Sequence, residues 1–157
     1  MQPDIRLSPH FQLSEFTLSQ VGTRLGLANE PTAQALQNLT LLANLLLEPI
    51  RSLLGDPITI SSGYRSAAVN RAVGGSPSSA HLDGLAADFG CPGYGTPRQV
   101  CQAIVDARLR FDQLIFEGSW VHIALPPNAA HLGEYRRDVL TAVFTPGQKT
   151  RYLKGIL

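Results

Sequence analysis

Ser79-Ala80-His81-Leu82-Asp83-Gly84-Leu85-Ala86-Ala87-Asp88 decides how this chain is read. A polar turn carrying His81 is followed by Gly84, which can reverse the backbone. An apolar run, residues 85–89, then reads as a buried strand with Asp88 inside it. A carboxylate in so apolar a run is costly unless it is paired or bound to a metal. A second histidine arrives from another apolar segment, Trp120-Val121-His122. Two imidazoles and a carboxylate are a ligand set for catalytic zinc, which keeps a fourth position for water.

Working outward, residues 111–117 and 120–125 read as two strands joined by Gly118-Ser119. A two-residue turn there pairs Glu117 with Trp120, Phe116 with Val121 and Ile115 with His122. Side chains alternate along a strand, so Ile115, Glu117, Trp120 and His122 share one face. Glu117 becomes a diagonal neighbour of His122, roughly 7 Å away between backbones. It is therefore the candidate general base, taking a proton from the zinc-activated water and returning it to the leaving amine. Upstream, Ser61-Ser62-Gly63-Tyr64-Arg65-Ser66 comes after a short strand at 58–60, which puts Arg65 at a strand-to-helix junction. Its fork of donors suits a carboxylate or a polarised carbonyl.

The rest of the chain predicts a mixed fold. Residues 14–25 read as a helix with Ser14 as its cap. Residues 32–54 form the strongest helix, with Leu36, Leu39, Ala43, Leu46, Leu47, Ile50 and Leu54 on one face. Pro49 is expected to kink or split it. Next come a short helix at 66–73, a loop at 74–79, a helix opened by Thr96-Pro97 and running to about 109, and a strand at 138–144. A Pro146-Gly147 turn and a short tail end the chain. Helices and strands mix without strict alternation, so the fold class is α+β, with a central, mostly antiparallel sheet and flanking helices. No linker divides residues 1–157, which read as a single domain.

Composition narrows the function classes. The 157 residues are 44% hydrophobic and 16% charged with a formal net charge of +1, which gives no footprint for nucleic acid or an anionic membrane. The basic residues near the C-terminus read as a solvated face. The most apolar stretch, residues 39–54, is interrupted by Asn44, Glu48, Pro49 and Arg51, so no membrane insertion is expected. Cys91 and Cys101 lack metal or redox spacing and read as two small buried thiols, with a disulfide left open. His10 and His131 are assigned to structure or surface, and nothing demands a partner subunit, so a monomer is expected.

Taken together, Ser62-Gly63-Tyr64-Arg65-Ser66, Asn70, Gly74-Gly75, the Ser79-to-Asp88 block and Trp120-Val121-His122 resemble the zinc D-Ala-D-Ala carboxypeptidase and phage L-alanyl-D-glutamate endolysin family, which shares its fold with the hedgehog signalling domain. The resemblance spans about residues 8–145. Phe11-x-Leu13-Ser14-Glu15-Phe16 and Leu47-Glu48-Pro49-Ile50-Arg51 are similar to phage-encoded members. It implies a hedgehog/DD-peptidase-like fold and one zinc per chain held by His81, Asp88 and His122. It implies Arg65 as the substrate-binding and transition-state-stabilising arginine, and Ser79, Tyr64 and Trp120 as substrate contacts. The implied substrate is the peptide stem of bacterial peptidoglycan.

The start Met1-Gln2-Pro3-Asp4 lacks a signal-peptide pattern. The expectation is therefore synthesis in the cytoplasm and action on the cell wall, after release through a membrane pore or from a virion. One departure stands out. Many members place the catalytic acid three residues before the last histidine, where this chain has Ser119, so Glu117 takes that role by hairpin geometry. The displaced acid keeps a second reading open, a catalytically silent zinc-containing module that binds the cell wall or is structural.

Overall fold

A computed structural model describes residues 3–129 and 134–157. His131 lies outside the described residues. Two short strands, β1 (Arg6–Ser8) and β2 (Phe11–Gln12), pair antiparallel and lead into α1 (Leu13–Thr17) and α2 (Gln20–Leu25). The single helix expected at 14–25 is thus two. Leu18 is extended and Ser19 starts a new helix, its hydroxyl accepting the Gly22 N–H. Ser14 is not a cap; it sits within α1, and its hydroxyl donates to Asp4.

Next come α3 (Ala33–Leu42), a π-helical turn (Ala43–Leu47) and α4 (Glu48–Leu54). The helical path stays continuous across Pro49. The wider turn ends with the Glu48 N–H bonded to the Ala43 carbonyl, and Pro49, which has no N–H to donate, follows directly. The chain continues through β3 (Thr59–Ser62), α5 (Ala67–Ala72), a 3₁₀ turn (Ala80–Asp83), β4 (Ala86–Gly90), α6 (Pro97–Asp106), β5 (Gln113–Phe116) and β6 (Val121–Ala124). Strands β7 (Asp138–Val143) and β8 (Arg151–Lys154) complete it.

The fold is α+β. Among the described residues, six strands form one sheet in the order β3-β4-β6-β5-β7-β8, antiparallel except for the β5–β7 pair. The Pro146-Gly147 turn forms, with Gly147 at φ +75° and the Gln148 N–H bonded to the Thr145 carbonyl. Beyond the turn the chain forms an edge strand rather than a tail, pairing Leu140 with Lys154 and Ala142 with Tyr152. All four β8 residues are exposed, so no hydrophobic alternation marked it in the sequence.

Alternation across this sheet separates core from site. Ala87, Phe89, Leu114, Val121 and Ile123 point to one face, where they join Leu39, Leu47, Ile50, Val100 and Ile104 in the core under α3, α4 and α6. Each such large side chain, fully buried, stabilises the fold by about 1.5–3 kcal/mol. Asp88, Ile115, His122 and Leu140 fall in one cross-strand row on the opposite face. That face opens on a cleft of about 1020 Å³. Cys91 and Cys101 are free and buried, and burial pushes the Cys101 thiol up to about 12. Among the described residues, no helix is long and apolar enough to cross a membrane.

Candidate metal centre and cleft

Adjacent strands β4 and β6 set Asp88 directly opposite His122. His81 reaches them from the 3₁₀ turn that precedes β4. One ligand atom from each of the three lies within 4.8 Å of the other two. All three residues are buried, with 3% exposure for His81, 7% for Asp88 and 9% for His122.

The turn carrying His81 is fixed from several sides. The Ser79 hydroxyl accepts the His81 N–H, the Asn38 amide donates to the Asp83 carbonyl, and Gly84 ends the turn at φ +70°. A Cβ on Gly84 would stand 2.6 Å from the Ala35 carbonyl oxygen, so both the conformation and the space require glycine.

Hydrogen bonding orients the donors towards one point. His81 Nδ1 lies 2.6 Å from the Gly63 carbonyl oxygen, which can only accept, so Nδ1 carries the proton. In the neutral ring Nε2 then offers a lone pair, and it faces Asp88 Oδ1 at 3.2 Å. His122 Nδ1 approaches the same oxygen at 2.9 Å. Two acceptors facing each other repel unless a second proton or a cation stands between them. Ligands of a tetrahedral zinc at ~2.0–2.1 Å lie roughly 3.3 Å from one another, close to these separations. The donor set, its spacing and the carbonyl behind His81 fit zinc.

Arg65 completes the buried half. Its Nη2 donates to Asp88 Oδ2 at 3.4 Å, its Nη1 to Asn70 Oδ1 and its Nε to the Ser62 hydroxyl, both at 3.3 Å. Asn70 is itself 3% exposed and ties the following loop through the Ser76 carbonyl. A Cβ on Gly75 would fall 2.1 Å from Asn70 Oδ1, which explains a glycine beside the arginine. Burial by itself raises the Asp88 carboxyl, but a hydrogen bond from His122, and one from His81 when that ring carries its second proton, outweigh it and hold the group well below the usual carboxylate range.

The β5–β6 hairpin, which carries His122, has the expected register. Ile115 pairs with His122, Phe116 with Val121, and the Glu117 N–H bonds the Trp120 carbonyl. Gly118 takes φ +78° at the turn. Glu117 lines the same cavity as the three clustered residues. Burial pushes its carboxyl up; the positive field of His122 opposes this, the Asp88 charge adds to it and Arg65 opposes it. Ser119 is exposed at the hairpin tip.

The structure therefore brings together His81, Asp88, His122, Arg65, Ser79, Glu117 and Trp120 around one cavity. Tyr64 is not among them. It is 7% exposed, packs within the core and borders a separate groove of about 740 Å³ beside β3. Gly63 and Asn70 entered the sequence reading only as part of a pattern. Their work, orienting His81 and Arg65, depends on contacts that no spacing reveals.

Two nitrogen donors and one oxygen donor, opening on a cleft, suit a hydrolytic metal centre. Residues 9–124 match the family model described as peptidase M15, and the chain belongs to that family of zinc peptidases, which acts on peptidoglycan. The resemblance drawn from the sequence motifs is the same family. A search of curated proteins gives no match.

Proposed function

We propose that this protein hydrolyses the peptide stem of bacterial peptidoglycan, either as a D,D-carboxypeptidase or as an endolysin-type endopeptidase. Residues 1–157 act as one peptidase unit, with His81, Asp88 and His122 holding one zinc. Bound there, zinc supplies a Lewis acid that acidifies water and polarises the scissile carbonyl.

The chain's own groups handle charge and protons. Arg65 lies against Asp88 with its fork already held by Ser62 and Asn70, pre-organised to stabilise negative charge on the substrate carbonyl oxygen. Glu117 accepts a proton as the water oxygen bonds to the carbonyl carbon. It returns that proton to the amine nitrogen as the C–N bond breaks, so one carboxylate serves both half-steps. Burial raises its affinity for the proton, which suits a group that must both take and give one near neutrality. Ser79 and Trp120 border the bound peptide.

The observation that carries this reading is the shared cavity. A buried three-donor cluster and a half-buried carboxylate without a salt-bridge partner among the described residues line the same space. A silent wall-binding module has no use for that carboxylate. The protein acts on the cell wall, in lysis or in wall entry. The test is to incubate zinc-loaded protein with muropeptides bearing pentapeptide stems and weigh the products. Loss of one D-alanine identifies the carboxypeptidase, and scission between L-alanine and D-glutamate the endopeptidase. No mass change with zinc loaded favours the silent module.

A further inference from the structure

Beyond residue 124, where the family match ends, the sheet continues through β7 and β8 and reaches the cleft again. The strand register pairs Phe116 with Thr141 on β7, and one residue further Glu117 stands beside Ala142. Ala142 in turn pairs with Tyr152 on β8. Partnered residues share a face, so Trp120, Glu117, Ala142 and Tyr152 form one row across four strands. It lies two residues along from the row of Asp88, His122, Ile115 and Leu140. Two strand spacings, about 10 Å, separate the backbones of Glu117 and Tyr152. In the row, Ala142 stands between them with only a methyl group for a side chain.

Three observations point the phenol at bound substrate. Tyr152 lines the same cavity as Glu117 and the histidines. It is 51% exposed and its hydroxyl has no hydrogen-bond partner among the described residues. Burial, and then the carboxylates of Glu117 and Asp88, push its ionisation upward, so the hydroxyl keeps its proton and remains a donor. At the other end of the row, the Trp120 Nε1–H is buried without a partner among the described residues. An unmet buried donor is costly unless something that enters the cleft accepts it.

We infer that Tyr152 is a substrate-binding residue whose hydroxyl donates a hydrogen bond to a backbone carbonyl of the peptide lying along Glu117. The inference rests on the peptidase reading. Arg65 and Ser79 then border the peptide on one side of the metal cluster, and Tyr152 and Trp120 on the other. A strand outside the matched region thereby completes the cleft.

The experiment compares the wild type with Tyr152→Phe, both zinc-loaded, on a muropeptide bearing a pentapeptide stem. The variant keeps the ring and its packing. The expected result is a fall in kcat/KM of about three- to tenfold, the loss of one hydrogen bond, with zinc content and melting temperature unchanged. A kcat/KM within about twofold of the wild type overturns the inference. So does a fall accompanied by lost zinc or a lowered melting temperature, which assigns Tyr152 to the fold. A wild type that leaves the muropeptide intact overturns the peptidase reading and this inference with it, which separates the two failures.

Discussion

The two walls of the cleft are built on opposite principles. On one, the Gly63 carbonyl fixes His81 through Nδ1, and Arg65 is fixed by Ser62, Asn70 and Asp88. On the other, Glu117 has no salt-bridge partner and the hydroxyl of Tyr152 and Nε1 of Trp120 have no hydrogen-bond partner among the described residues. The first wall is pre-organised to fix a metal and a substrate oxygen. The second keeps its donors and its carboxylate free for groups that arrive. Rigid placement costs nothing at the moment of reaction, whereas a proton carrier must change partners during it.

The largest effects should come from the held wall. His122→Ala removes one of three ligands and leaves Asp88 buried with fewer partners. Zinc should be lost and turnover abolished together, read by metal analysis and muropeptide cleavage. Retained zinc with normal turnover would remove His122 from the site. Asn70→Ala leaves the first wall complete but frees Arg65 Nη1. Loss of such a supporting contact should lower kcat/KM by about 10–100-fold while zinc remains. An unchanged rate would show that Arg65 needs no such support.

Smaller effects should appear in stability. Gly84→Ala forces a side chain into φ +70° against the Ala35 carbonyl. It should destabilise the fold by about 1–3 kcal/mol in denaturant titration. The two walls should also respond oppositely to pH in metal-free protein. Asp88 has its folded pKa lowered, so its contribution is present above the ordinary aspartate value and is lost as the pH falls through the folded one. Glu117 has its folded pKa raised, so it weakens the fold as the pH rises past the ordinary glutamate value of about 4.3. Metal-free Glu117→Gln should therefore melt above the wild type at neutral pH, and the difference should close on acidification. A variant that melts lower at neutral pH would mean that the carboxylate is paired.

The held wall was legible in the sequence where a polar residue interrupts an apolar run. Asp88 among Leu85, Ala86, Ala87 and Phe89 has few explanations, and His122 beside Val121 and Ile123 is the same signal. The facing of Glu117 and His122 came from the turn glycine and the two-residue period of a strand. The supports of Arg65 and His81 were not legible, because a backbone carbonyl at Gly63 and an amide at Asn70 leave no mark on spacing. Tyr64 came only with the resemblance, and its place in the core beside β3 depends on packing that the motif does not show. Tyr152 was hidden for a different reason. It lies on an edge strand exposed on both faces, whose place in the sheet is set by pairing with β7 rather than by any hydrophobic pattern of its own.

The division of labour between the two walls is tested most directly by Glu117→Gln, with zinc stoichiometry and cleavage of a pentapeptide muropeptide measured on the same sample. The expected result is one zinc per chain, as in the wild type, with kcat lowered about a hundred- to ten-thousandfold. Full turnover with zinc in place would contradict the account, because the proton would then be carried by some other group.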